Sequence, residues 1–173
     1  MTLRVTDLRF EAGSFVFVNV PSLSRWEWHP FSISSAPGAP GKHFTLHIQS
    51  QGGASWTQRL HTVCSFPGVL LAHVWVAVLT CGAAVGRSVR LFVDGPYGTL
   101  SAPVAQCNVV LLVAGGMGIT PLMSVFADLR NRVMTGRLSF HSVHLVWMCR
   151  DIAALTRFFE QDLFQLPPTF SVH

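Results

Sequence analysis

Residue types in three short stretches suit the holding of a flat ligand. The first is His29-Pro30-Phe31-Ser32-Ile33-Ser34-Ser35-Ala36-Pro37. Pro30 fixes its own φ and pushes His29 into extended geometry, so Phe31 to Ser34 reads as a short strand. Phe31 and Ile33 then share one face, Ser32 and Ser34 the other. Such a strand offers an aromatic wall and hydroxyls, which a heteroaromatic ring needs for stacking and for edge hydrogen bonds. A buried strand closed by a proline turn has the same pattern, and periodicity alone favours it.

The second stretch, Asp94-Gly95-Pro96-Tyr97-Gly98-Thr99, reads as a tight turn, with Pro presetting φ and the glycines supplying positive φ. The third runs from a strand into a glycine loop and a helix: Asn108 to Ala114 is almost wholly apolar, as a parallel strand buried on both faces would be. Gly115, Gly116 and Gly118 free the backbone for phosphate to approach. Thr120 is placed to cap a helix, with Pro121 at its first position, and Leu122, Val125, Phe126 and Leu129 recur at helical spacing. Strand, glycine loop and helix N-terminus together make an anion site. It is not the standard dinucleotide fingerprint, since Pro121 stands where the third glycine would be. A second helix start follows Ser55 as N-cap, at Trp56 and Thr57, and offers free N–H groups to a diphosphate. Arg150, after the strand Val143–Met148 and Cys149, is positioned to meet a 2′-phosphate.

These sites need a scaffold, and the first hundred residues supply one. Leu3–Phe10, Phe15–Val20, the Phe31–Ser34 strand, His43–Ile48 and Arg90–Asp94 are short β-rich runs at close spacing, which predicts a small antiparallel barrel. Ile152 to Gln161 reads as a crossover helix ended by Pro167-Pro168. Hydrophobic residues make up 50% of the 173 and charged residues 12%, about half the usual charged share of about 25%. Such a piece suits part of a larger or membrane-associated protein. The net charge of +4 comes without basic runs or aromatic–basic interleaving, so no nucleic-acid partner is expected. Cys64, Cys81, Cys107 and Cys149 have no Cys-x-x-Cys spacing, which argues against a zinc ribbon or disulfide scaffold and fits a reducing compartment. His43 and His47 lie about 13 Å apart along an extended chain, so no metal site is expected.

The three ordered stretches resemble the motifs of the NADPH oxidase and ferric reductase family, a branch of the ferredoxin–NADP reductase superfamily. The resemblance implies a two-lobe α+β reductase: an antiparallel β-barrel FAD-binding domain over 1–103, then a truncated α/β parallel-sheet NAD(P)-binding domain over 104–173. It implies FAD and NADPH as cofactors, with His29, Pro30, Phe31, Ser32, Ser34, Ser35, His47, Gln49, Trp56, Thr57, Gly95, Pro96, Tyr97 and Gly98 on the flavin side. Gly115, Gly116, Gly118, Thr120, Pro121, Cys149 and Arg150 fall on the nucleotide side. Phe31 packs on the isoalloxazine, and Ser32, the catalytic residue, donates toward flavin N5. Gln49 departs from the family, which places there an Arg paired with the FAD diphosphate; an amide supplies neither charge nor a bidentate fork.

The implied function passes electrons from NADPH through FAD to haems in a transmembrane domain absent from this chain, then to O₂ or ferric iron. The expected location is the cytosolic side of a membrane. Val69 to Val85 does not fit: it is uncharged and nearly all apolar, close to the ~20 residues of a membrane span. A buried insertion, a true span that abolishes the flavin site, and residues outside the mature protein such as a mistranslated intron remain open, the last preferred by elimination. Two other functions remain in view: an inactive truncated fragment, and a small membrane-anchored structural protein.

Overall fold

The computed structural model describes residues 2–6, 8–38, 43–65, 89–98, 100, 104–149 and 166–173. The apolar run 69–85 and the expected helix over 152–161 lie outside them, as does Arg150.

Alternation of Val with Phe makes β2 (Phe15–Asn19) two-faced. Val16 and Val18 are wholly buried, while Phe15 and Phe17 stand on the opposite face. β2 pairs antiparallel with β3 (His29–Ser32) on one side and β5 (Phe92–Tyr97) on the other. β1 (Thr2–Thr6) pairs antiparallel with β4 (His43–His47). A bridge between Ile33 and Leu46 joins the two sheets. Val16, Val18, Ile33, Phe44, Leu46 and Leu91 form their shared core, closed by Trp56 and Leu60 of α1 (Trp56–Ser65).

The second lobe is a parallel sheet in the order β6 (Val109–Gly115), β7 (Ser142–Met148), β8 (Phe170–Val172). α2 (Ile119–Met134) covers one face, packing Ile119, Met123 and Phe126 against Val110, Ala114, Val143 and Leu145.

Several expectations are corrected. The signature strand begins at His29 rather than Phe31, because β2 accepts Pro30 opposite Phe17. The Asp94–Gly98 segment is not a plain turn. Gly95 and Pro96 continue β5 through an irregularity in its pairing with β2. A Cβ on Gly95 (φ 129°) would lie 3.2 Å from Val16 Cγ1 and 3.3 Å from the Phe15 carbonyl, so the absent side chain lets the backbone stay against β2. β6 is buried on one face only: Val109, Leu111 and Val113 are more than half exposed, and among the described residues nothing covers them. Thr120 does not cap α2. The turn Gly116–Gly118 runs straight into the helix, which makes Gly118 the cap and puts Thr120 and Pro121 inside the first turn. β8 was not foreseen.

The lobes meet at Ser124 on α2, a side chain with no solvent exposure. Its hydroxyl donates to the Ser35 carbonyl at 2.7 Å and accepts from the Gly13 N–H at 3.3 Å. Ala12 also buries itself in the second lobe's core. Ser124→Val leaves the half-buried Gly13 donor and Ser35 acceptor without their partner. It should lower unfolding free energy by about 1–3 kcal/mol, read as a lower denaturant midpoint in urea titration.

Candidate functional site

The N-terminus of α1 is built as its residues dictate. Ser55 Oγ accepts the Gln58 N–H at 3.2 Å and caps the helix. Thr57 Oγ1 accepts the Gln51 N–H at 3.2 Å, and Ser50 donates to the Gln58 side chain. The loop between β4 and α1 is thereby folded back onto the helix start.

A cleft of about 220 Å³ opens beside this start. β3 contributes Pro30, Phe31 and Ser32; the end of β4 contributes His47 and Gln49; α1 contributes Thr57. The far wall is Met117 and Thr120, from the glycine loop and first turn of α2. Sequence-distant motifs therefore converge across the lobe boundary. Trp56 stands behind them, its ring 4.3 Å from that of His29 and 6.0 Å from that of Phe31, inclined to them by 31° and 28°. This stack fixes the aromatic wall. Glu27, 3.5 Å from His29 Nε2, holds the outer edge of the stack.

His47 is tied into a polar chain on the first lobe. Its Nδ1 lies 2.7 Å from Ser34 Oγ, which donates to the Thr45 carbonyl at 2.9 Å. Burial, with a smaller effect from the positive chain terminus, lowers the imidazole pKa to about 4. At neutral pH the ring is neutral. Ser35 is spent on structure: its hydroxyl accepts the Thr45 N–H and its carbonyl accepts from Ser124.

On the nucleotide side, Gly116 has φ 51°, which favours glycine. Its carbonyl accepts the Trp147 indole N–H at 2.9 Å, and Thr120 Oγ1 donates to the Met117 carbonyl at 2.9 Å. Gly115, Gly118 and Pro121 shape this turn without lining the cleft. Cys149 follows β7 and packs against the second core.

The Gly-Pro-Tyr-Gly residues are not brought into this cleft. Pro96 and Gly98 line a separate groove of about 520 Å³ with Arg9, Glu11 and Ser14. Tyr97 packs with Phe15 and Phe17 on the outer face of β2, its hydroxyl 2.8 Å from Asp94 Oδ2. That hydrogen bond raises the phenol pKa. Sequence reasoning also missed Met117, Ser124 and Trp147. Ser124 carried one signal, a hydroxyl beside the core-facing stripe of α2. Trp147 carried another, since a buried indole N–H requires an acceptor.

An antiparallel lobe joined to a parallel lobe, with the sequence motifs meeting between them, is the architecture of the two-lobe flavin–nicotinamide reductases. A profile described as FAD-binding domain matches residues 2–101, and one described as ferric reductase NAD binding domain matches residues 107–164. The chain belongs to the NADPH oxidase and ferric reductase family. It is similar to mouse NADPH oxidase 1, at 31% identity over 91% of this chain and 24% of that protein. Rice respiratory burst oxidase homolog protein B is 37% identical over 72% of this chain and 14% of its own length. This chain thus spans about a quarter or less of these relatives. Among solved structures, the ferredoxin reductase of carbazole 1,9a-dioxygenase aligns over 99% of this chain and 49% of its own (TM-score 0.64, 13% identity). Phthalate dioxygenase reductase aligns over 99% and 46% (TM-score 0.58, 17% identity). These two show the fold.

FAD and NADPH are the cofactors of the two matched domains. The residues present fit a flavin dinucleotide: an aromatic wall, with hydroxyls and amides at the α1 start. Among the described lining residues, however, there is no Lys or Arg.

The lowered pKa of His47 has a stability consequence. Its folded value of about 4 lies below the free value of 6.5, so the unfolded chain takes the proton first. The contribution is complete above about pH 6.5 and is lost as pH falls toward 4, roughly 3 kcal/mol at the limit. In urea titrations across that window, His47→Gln should lose less stability than the wild type.

Proposed function

We propose that this chain is the electron-transferring dehydrogenase portion of an NADPH oxidase or ferric-chelate reductase. The observation that carries the reading is the convergence of Phe31 and Ser32, Gln49 and Thr57, and Met117 and Thr120 on one cleft at the lobe boundary. The FAD-binding domain occupies 1–103 and the NADP-binding domain 104–173. The partner is a haem-bearing transmembrane domain, and the dehydrogenase portion faces the cytosol at a membrane. Among the described residues no helix is long and apolar enough to cross one.

Bound FAD supplies the conversion between two-electron hydride chemistry with NADPH and one-electron delivery to haem, and so to O₂ or ferric iron. The chain's residues orient and enclose. Phe31, backed by Trp56 and His29, gives the ring its stacking wall. Ser32 lines the same cleft, and its hydroxyl would meet the edge of the ring. Thr57 and the α1 N-terminus, with Gln49 and His47, receive the diphosphate. Ser34 and Ser35 hold β3 against β4. Gly115, Gly116, Gly118, Thr120 and Pro121 shape the turn that would receive the nicotinamide nucleotide, and by the family resemblance Cys149 and Arg150 would serve the same nucleotide. Gly95, Pro96 and Tyr97 run along β2, which carries the signature strand, and the Gly98 carbonyl accepts from the Ser14 hydroxyl.

After incubation with FAD and desalting, the purified chain should retain a flavin absorption spectrum that bleaches anaerobically with NADPH. Ser32→Ala should retain flavin and bleach more slowly, by about tenfold or more. A wild-type chain that keeps no flavin would overturn the reading in favour of an inert fragment, and bleaching unchanged in Ser32→Ala would remove the role of Ser32.

A further inference from the structure

The glycine loop ahead of α2 is open on its outer side. A Cβ on Gly115, Gly116 or Gly118 would meet nothing within 4 Å. Gly115 (φ −122°) and Gly118 (φ −61°) also have backbone angles that any residue adopts. Among the described residues, then, neither packing nor φ asks for glycine at these two positions. A ligand that must come close to the main chain does.

Gly116 differs, with a φ of 51°. Glycine enters left- and right-handed backbone alike, so the peptide that follows is not held by Gly116 itself. Hydrogen bonds choose its orientation. The Gly116 carbonyl accepts the Ile119 N–H inside the turn and the Trp147 indole N–H, at 2.9 Å, from outside it. Trp147 is a firm anchor. It is 8% exposed, packs in the second core, and pairs through its backbone with Ala114 of β6.

Among the described residues the cis peptide bond is Gly95–Pro96, so Gly116–Met117 is trans. A trans peptide points its N–H opposite to its carbonyl. With the carbonyl drawn toward β7, the Met117 N–H is directed away from β7. Met117 is the second residue of the turn that runs into α2, where an N–H has no partner within the helix it starts. The next peptide is held as well, since the Met117 carbonyl accepts from Thr120 Oγ1 at 2.9 Å. Met117 and Thr120 both line the cleft.

We propose that Trp147 is a positioning residue for the nicotinamide nucleotide: by holding the Gly116 carbonyl it presents the Met117 N–H to the nucleotide's diphosphate. The inference rests on the NADPH reading above and adds to it a residue that does not touch the ligand. One neutral hydrogen bond is worth a factor of roughly two to ten. Without it the peptide populates other orientations, and affinity falls with the fraction of loops that remain competent.

The test is calorimetric titration of the full chain with NADP⁺ and, separately, with FAD. It is paired with amide NMR of the ¹⁵N-labelled wild type. Trp147→Phe keeps a ring in the core and loses the N–H. It should bind NADP⁺ roughly two- to tenfold more weakly and FAD as the wild type does. In the wild type, saturating NADP⁺ should move the Met117 amide proton downfield. NADP⁺ affinity unchanged in Trp147→Phe overturns the proposal and leaves the NADPH reading intact. Equal losses of NADP⁺ and FAD affinity do the same, because they mark a role in stability alone. A Met117 amide that does not move in the wild type also overturns it, and that measurement stands even if the variant fails to fold. No NADP⁺ binding by the wild type overturns the NADPH reading and the proposal with it.

Discussion

The geometry of the cleft depends on one hydroxyl. Ser124 reaches from α2 into the first lobe, joining the Ser35 carbonyl and the Gly13 amide. Ser35 is the last of the signature serines, so the bond ties the flavin-side strand directly to the helix whose first turn forms the opposite wall. A buried hydroxyl with donor and acceptor both engaged has no competing arrangement without an unsatisfied partner. Phe31 and Thr120, on opposite walls of the cleft, belong to the elements that this bond joins.

Around this junction the protein uses aromatic stacking and backbone closeness rather than charge. Trp56 seats His29 and Phe31, and Trp147 seats Gly116. Both are large rings with a single N–H, able to brace a neighbour over a wide area at little entropic cost. The same economy leaves the end of the cleft beside β4 uncharged at neutral pH, because Gln49 contributes an amide and His47 is held neutral by burial.

Much of the scaffold was legible in the sequence. Val–Phe alternation marked β2, the apolar run marked β6, the spacing of Leu122, Val125, Phe126 and Leu129 marked α2, and Ser55 marked the start of α1. The misreadings share one cause. Thr120 and Gly95 were judged by what their neighbours in sequence favour, while a preceding turn drew the helix start upstream and contact with β2 kept the Gly-Pro pair in a strand. Tyr97 lies within a motif that resembles a cofactor turn, yet its ring belongs to the Phe15–Phe17 cluster. Motif membership specifies a backbone shape and not where the side chain ends up.

The sequence by itself determined the chemistry on offer: an aromatic strand with hydroxyls, a glycine loop ahead of a helix, and an amide where charge was expected. Those are properties of residue type and short-range spacing, which the backbone enforces locally. Tertiary structure alone decided which of them meet. It joined Ser32, Thr57 and Thr120 in one cleft, sent Pro96 and Gly98 to another, and made His47 neutral. Each outcome arises from burial and from hydrogen bonds between residues far apart in the chain, such as Ser124 to Ser35, and such pairings leave no periodic trace in the sequence.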